Sequence, residues 1–249
     1  MSHAALTEAI AAVQGYVQYL QRLGVTDLPV TLAPSGHAGT PTPQAPPAAA
    51  AAASQGTATP TESAVRLAQL ATAVRDCRNC RLHAGRTQVV FGTGNPAAAL
   101  VFVGEAPGHD EDIQGEPFVG QAGQLLTRII AAIGLTREQV YLLNVIKCRP
   151  PHNRNPQPDE VAACRPILQE QLACLQPRVI CALGTFAAQT LLQTEEKISR
   201  LRGRFHMLGT IPVMPTYHPA FLLRNAQYKR AVWEDMQRIQ DVLGLRHPR

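Results

Sequence analysis

Four cysteines are spaced as ligands. Cys77 and Cys80 form a C-x-x-C, Cys148 stands before a Pro-Pro turn, and Cys164 follows with 15 residues between it and Cys148. Thiolates from one close pair and two distant positions can close a tetrahedral sulfur shell, which suits a zinc ion and a [4Fe–4S] cluster alike. Cys174 and Cys181 read instead as buried, unreactive thiols, one in a helical stretch and the other in an apolar run. A second group carries acid–base and stacking chemistry. Gly104-Glu105-Ala106-Pro107-Gly108 puts a carboxylate directly after a buried run, which is costly unless the group has a polar task. The turn matches neither G-x-G-x-x-G nor G-x-x-x-x-G-K-[ST], so dinucleotide and P-loop readings lack their fingerprint. Gly115-Glu116-Pro117-Phe118-Val119-Gly120 sets an aromatic ring between proline and glycine, as a platform for a flat ligand would need. Tyr217-His218-Pro219-Ala220-Phe221-Leu222-Leu223-Arg224-Asn225 leads on to Lys229-Arg230. Apolar wedges beside cations are how proteins open a base stack while holding phosphates.

These residues must be positioned by a fold, and the apolar pattern supplies one. Residues 98–103, 140–145, 178–183 and 211–216 read as buried strands. Residues 62–76, 122–133, 158–175, 186–192 and 229–243 have helical periodicity. The alternation predicts a three-layer α/β/α sandwich with a central, mostly parallel, four-stranded sheet. Open α/β sheets bind ligands beyond the carboxyl ends of their strands. Glu105, Asn144 and His218 all fall at such ends.

The chain has 249 residues, 45% apolar and 16% charged, with net charge +5. That is ample for a hydrophobic core, and six cysteines are too sparse for a disulfide scaffold. No stretch approaches the roughly 20 apolar residues of a membrane span. The opening MSHAALTEAI lacks the basic and apolar regions of a signal peptide, so a reduced cytoplasm is expected. Residues 4–23 predict a short amphipathic helix, and 27–61 an Ala/Pro-rich flexible linker. The expected division is thus an N-terminal helical segment (1–26), the linker (27–61) and one main domain (62–249). The tethered helix is a candidate docking element for a protein partner. From residue 62 onward there are 22 basic and 16 acidic side chains, a balance compatible with a polyanionic partner.

Taken together, CRNC (77–80), GEAPGHDEDIQGEPFVGQAG (104–123), NVIKCRPPHNRNPQPDEVAAC (144–164) and YHPAFLLRN (217–225) resemble the family 4 uracil-DNA glycosylases, the iron–sulfur branch of that superfamily. The resemblance spans roughly residues 65–245. It implies a structural [4Fe–4S] cluster on Cys77, Cys80, Cys148 and Cys164. It also implies a uracil pocket built from the Gly104–Ala106 backbone, Phe118, Asn144 and His218. A related covalent uracil-binding branch carries a Lys-Arg-Arg insertion with a reactive histidine, which this sequence lacks. Family 5 enzymes lack the first-motif glutamate that stands here as Glu105.

On that resemblance the substrate is uracil-containing DNA, single- or double-stranded, and the expected form is a monomer. Uracil inside a duplex must be flipped out, at a cost of a few kcal/mol. Leu222 or Leu223 would fill the vacated stack, and Arg224, Lys229 and Arg230 would hold the flanking phosphates. Asn144 would read the N3–H and O4 edge, while His218 and backbone N–H groups near Glu105 would stabilise charge at O2. Glu105 or Asn153 would position the attacking water, with Glu111 a third candidate. Two rival classes are a zinc-stabilised, non-catalytic nucleic-acid-binding module and an iron–sulfur redox protein.

Overall fold

The computed structural model describes residues 60–245, so the expected N-terminal helix and almost all of the linker lie outside the described residues. The four apolar runs form β2 (Leu100–Gly104), β3 (Tyr141–Asn144), β4 (Val179–Leu183) and β6 (Ile211–Thr216), paired in parallel. Sequence reading missed two short antiparallel strands, β1 (Thr93–Gly94) and β5 (His206–Leu208), which close the two edges. The sheet therefore has six strands, in the order β1-β3-β2-β4-β6-β5, around the expected parallel four. Runs of two and three residues are too short to show an alternating pattern, and short edge strands limit edge-to-edge association.

Every residue of β2 and β4 is buried. Side chains alternate between the faces of a strand, so one run feeds two cores. Val101, Val103, Leu143, Ile180 and Ala182 face one cluster, together with Leu67, Leu168 and Leu191. Leu100, Phe102, Leu142, Cys181 and Met214 face the other, with Leu126, Leu222 and Met236. The first cluster is covered by α1 (Pro60–Val74), α4 (Pro158–Leu175), α5 (Gly184–Leu192) and α6 (Ile198–Leu201). The second is covered by α3 (Gln121–Ala132), α7 (Pro219–Arg224) and α8 (Lys229–Leu243). The three-layer expectation holds. A short α2 (His109–Gln114) lies outside the layers' main helices, in the loop after β2.

Two buried polar features fix the end of β6 and the start of α4. Asp235 of α8, fully buried, accepts from Arg202 (Nε, 3.0 Å) and from the Thr216 hydroxyl (2.6 Å), which ties the end of β6 to the helix layer. Glu160 accepts from Arg154 (2.6 and 2.9 Å) and from the Gln157 amide (2.8 Å), capping α4. Buried carboxylates paired this way are satisfied and rigid, and removing one partner would leave an uncompensated charge.

Candidate active site

A cavity of about 520 Å³ opens beyond the carboxyl ends of β2, β3 and β6. Glu105, Ala106, Phe118, Asn144, Asn153 and His218 all line it, so the site residues expected at separate strand ends and loops share one wall. Gly104 underlies them. A Cβ there would overlap the Asn144 side chain and the Phe118 ring, so a glycine at this position lets the amide and the ring approach the sheet.

Phe118 is held in an unusual way. Its backbone is left-handed (φ 58°), a conformation that costs a non-glycine residue of order 1–3 kcal/mol. Arg137 offsets this from a 3₁₀ turn (Arg137–Gln139), donating to the carbonyls of Pro117 (3.0 Å) and Phe118 (3.0 Å) and to the Thr127 hydroxyl (3.3 Å). Gly123 on α3 supplies the room, since a Cβ there would overlap the Phe118 backbone. The ring is 6% exposed and sits 6.1 Å from the His218 ring, at 33°. No sequence signal pointed to Arg137, which lies 19 residues away and carries no motif.

The titratable groups have distinct environments. His218 Nδ1 accepts the Ala220 amide (3.1 Å), capping α7 and leaving the proton of a neutral ring on Nε2. Burial pushes its pKa down to about 4, so the imidazole is uncharged at neutral pH. Burial also holds the Glu105 carboxyl above its usual range, and among the described residues no donor reaches that carboxylate. Glu111, by contrast, accepts three backbone amides, from Gly108 (3.1 Å), Val119 (3.0 Å) and Gly120 (3.1 Å). It staples α2 to the Phe118 loop and has little capacity left for water. Asn153 has its own carbonyl engaged: Arg149 Nε donates to Oδ1 at 2.7 Å, and Arg149 also meets His109 Nδ1 at 2.9 Å. His152 and Asn153 are both left-handed (φ 55° and 54°), so this turn at the cavity mouth is built around a strained pair.

The candidate DNA contacts divide. Arg224 lines the cavity, and Leu223 is 45% exposed. Lys229 and Arg230 stand exposed on the first turn of α8, Arg230 beside Glu234 at 3.4 Å. Leu222 corrects the expectation. It is 1% exposed and packs in the second core with Leu126 and Met236, so it cannot enter a base stack.

The cysteine expectation finds a second cavity. Cys77, Cys80, Cys148 and Cys164 line it together with Arg86, Lys147 and the apolar side chains of Val74, Val89 and Ile167. Arg86 donates to Cys148 Sγ (3.3 Å), while burial pushes the Cys148 thiol up to about 11 and raises that of Cys164. Lys147 is almost fully buried and donates to the Asn144 carbonyl at 2.6 Å, linking the thiol cavity to the strand end that carries Asn144. Among the described residues no three His, Cys, Asp or Glu side chains are grouped as they would be around one metal ion.

Comparisons with known proteins agree with the geometry. A family model described as the uracil DNA glycosylase superfamily matches residues 91–237. A type-4 uracil-DNA glycosylase of Archaeoglobus fulgidus is 45% identical over 183 residues, covering 70% of this chain and 92% of that protein. One from Thermotoga maritima is 45% identical over 174 residues (68% and 91%), and one from Saccharolobus solfataricus 43% over 184 (70% and 85%). The shared cavity at the strand ends and these matches place the chain in the type-4 branch of the uracil-DNA glycosylase superfamily.

Proposed function

We propose that this uracil-DNA glycosylase receives a uracil rotated out of DNA in the cavity beyond β2, β3 and β6 and hydrolyses its N-glycosidic bond, leaving an abasic site. One observation carries the reading: a neutral imidazole, an amide, a ring face and an unpartnered carboxylate converge on a single cavity. Phe118 stacks on the base. The Asn144 amide pairs with N3–H and O4, and cytosine presents the opposite donor and acceptor there. As the bond breaks, negative charge gathers on the uracil and the sugar gains oxocarbenium character. His218 Nε2–H donates to O2, where that charge develops, and a preorganised donor needs no proton transfer to act. Glu105 orients the water that attacks the sugar carbon. Asn153, whose carbonyl is held by Arg149, is left to donate through its amide NH₂. The test is direct. A single-stranded oligonucleotide with one deoxyuridine should release free uracil and become alkali-labile, whereas the same strand with deoxycytidine should stay intact. An unbroken deoxyuridine strand overturns the reading.

Leu223 supplies the wedge, and Arg224, Lys229 and Arg230 the phosphate contacts. Leu223→Ala should therefore cost roughly tenfold on duplex substrates, the scale of one lost unstacking contact, and much less on single strands. Equal losses on both substrates would remove Leu223 from that role.

The cysteine cavity suits a [4Fe–4S] cluster. Cys77, Cys80, Cys148 and Cys164 line it, and their thiolates would be the ligands of such a cluster. Arg86 and Lys147 would offset the negative charge of the ligated thiolates. Such a group would crosslink the loop after α1, the turn after β3 and α4, away from the strand-end cavity. Cys164→Ala should abolish most bound iron, measured by metal analysis, and lower the thermal midpoint. Undiminished iron would contradict the assignment. The main domain at 62–249 would act in a cytoplasmic monomer.

A further inference from the structure

A further cavity, of about 450 Å³, adjoins the one at the strand ends and shares Glu105, Asn155, His218 and Phe221 with it. Its distinctive wall is aromatic. Tyr217 stacks on Phe221 (centroids 5.1 Å, 24°), and Tyr228 meets both, at 5.0 Å and 61° from Tyr217 and 5.1 Å and 53° from Phe221. Arg202 lies 5.7 Å from the Tyr217 ring centre, so that side of the trio is already occupied. Tyr228 is 37% exposed, and Phe221 lines both cavities, so its ring borders each. The three rings brace one another. A ligand that stacks there finds a preset surface and pays little to order it.

We propose that this wall is a stacking site for a second nucleobase, the immediate neighbour of the uracil on the same strand. The inference rests on reading the adjoining cavity as the uracil site. Continuity with that cavity identifies the occupant, because a strand whose uracil enters one chamber must place the next base within one phosphate of it. The cations fit the same path. Arg224 lines the first cavity, and exposed Lys229 directly follows Tyr228. An aromatic wall binds any base, since every base has a π-face, and so the site adds affinity without sequence preference. It also favours substrates whose neighbouring base is free of pairing.

The test uses the full-length protein and three single-stranded oligonucleotides, each with one deoxyuridine. In one, both neighbours are ordinary nucleotides; in the others, the 5′ or the 3′ neighbour is a tetrahydrofuran abasic analogue. Affinity is read by fluorescence anisotropy and excision by uracil release. One of the two abasic strands should bind and react roughly tenfold less well, the scale of one lost base–aromatic stack. Tyr228→Ala should lose the same factor on the intact strand and nothing more on that abasic strand, while Tyr228→Phe keeps wild-type behaviour. Equal handling of all three strands by the wild type overturns the second site, whether or not the variants fold. So does a Tyr228→Ala loss of the same size on every strand. Failure to excise uracil from the intact strand would defeat the uracil reading, and the anisotropy comparison would still judge the aromatic wall by itself.

Discussion

His218→Ala should lower uracil excision by about 100- to 1,000-fold and leave DNA affinity largely unchanged, the effect of losing one preorganised donor to a developing anion. The size follows from the site. Nδ1 is committed to the Ala220 amide, the ring is neutral, and the only remaining N–H belongs to Nε2. A neutral donor on a cavity wall acts through the transition state more than through binding, so kcat should fall and KM should hardly move. The same ring makes a pH prediction. Its folded pKa, about 4, lies below the ordinary value of 6.5. A histidine with a depressed pKa is protonated first in the unfolded chain, so its share of stability is lost as pH falls from about 6.5 towards 4. Thermal midpoints measured across that window should drop in the wild type and drop less in His218→Ala. A midpoint that falls equally in both would detach the ring from the acid response.

Glu105→Gln should reduce excision by roughly 100- to 10,000-fold, the range for a positioned general base. The amide keeps the shape and removes the charge that orders the water. Because burial raises the Glu105 pKa, its carboxylate is the form lost as pH falls, and it is lost above the ordinary carboxylate range. The wild-type rate should therefore decline on the acid side in that interval, and Glu105→Gln should show no such limb. His218 cannot produce it, since that ring stays neutral down to about pH 4. Persistence of the acid limb in Glu105→Gln would transfer the water to another group.

Much of this was legible in the chain because the main strands are long enough to declare themselves. Four apolar runs fixed the parallel strands, and strand ends are where such sheets place ligands, so Glu105, Asn144 and His218 could be grouped before any coordinates. The edge strands could not be read, since Thr93–Gly94 and His206–Leu208 are too brief for a period. The adjacent leucines 222 and 223 show the same limit. A six-residue helix has no repeat from which to choose an inner face, and only packing shows Leu222 turned into the core and Leu223 outward. The three water candidates could be ranked only through their partners. Glu111 is a capping carboxylate at the third position of α2, but the cap residue is Gly108 rather than serine or threonine, which hides the usual pattern. The Arg149–Asn153 and Arg137–Phe118 bonds depend on loop paths that composition does not encode.

Binding of free uracil offers the most direct test of the central claim, that one cavity at the strand ends holds the base with His218 facing its O2. A crystal structure of the protein soaked with uracil should show the ring stacked on Phe118, its N3–O4 edge on the Asn144 amide, and O2 within hydrogen-bond distance of His218 Nε2. Uracil bound elsewhere, or seated there with O2 turned away from the imidazole, would contradict the account.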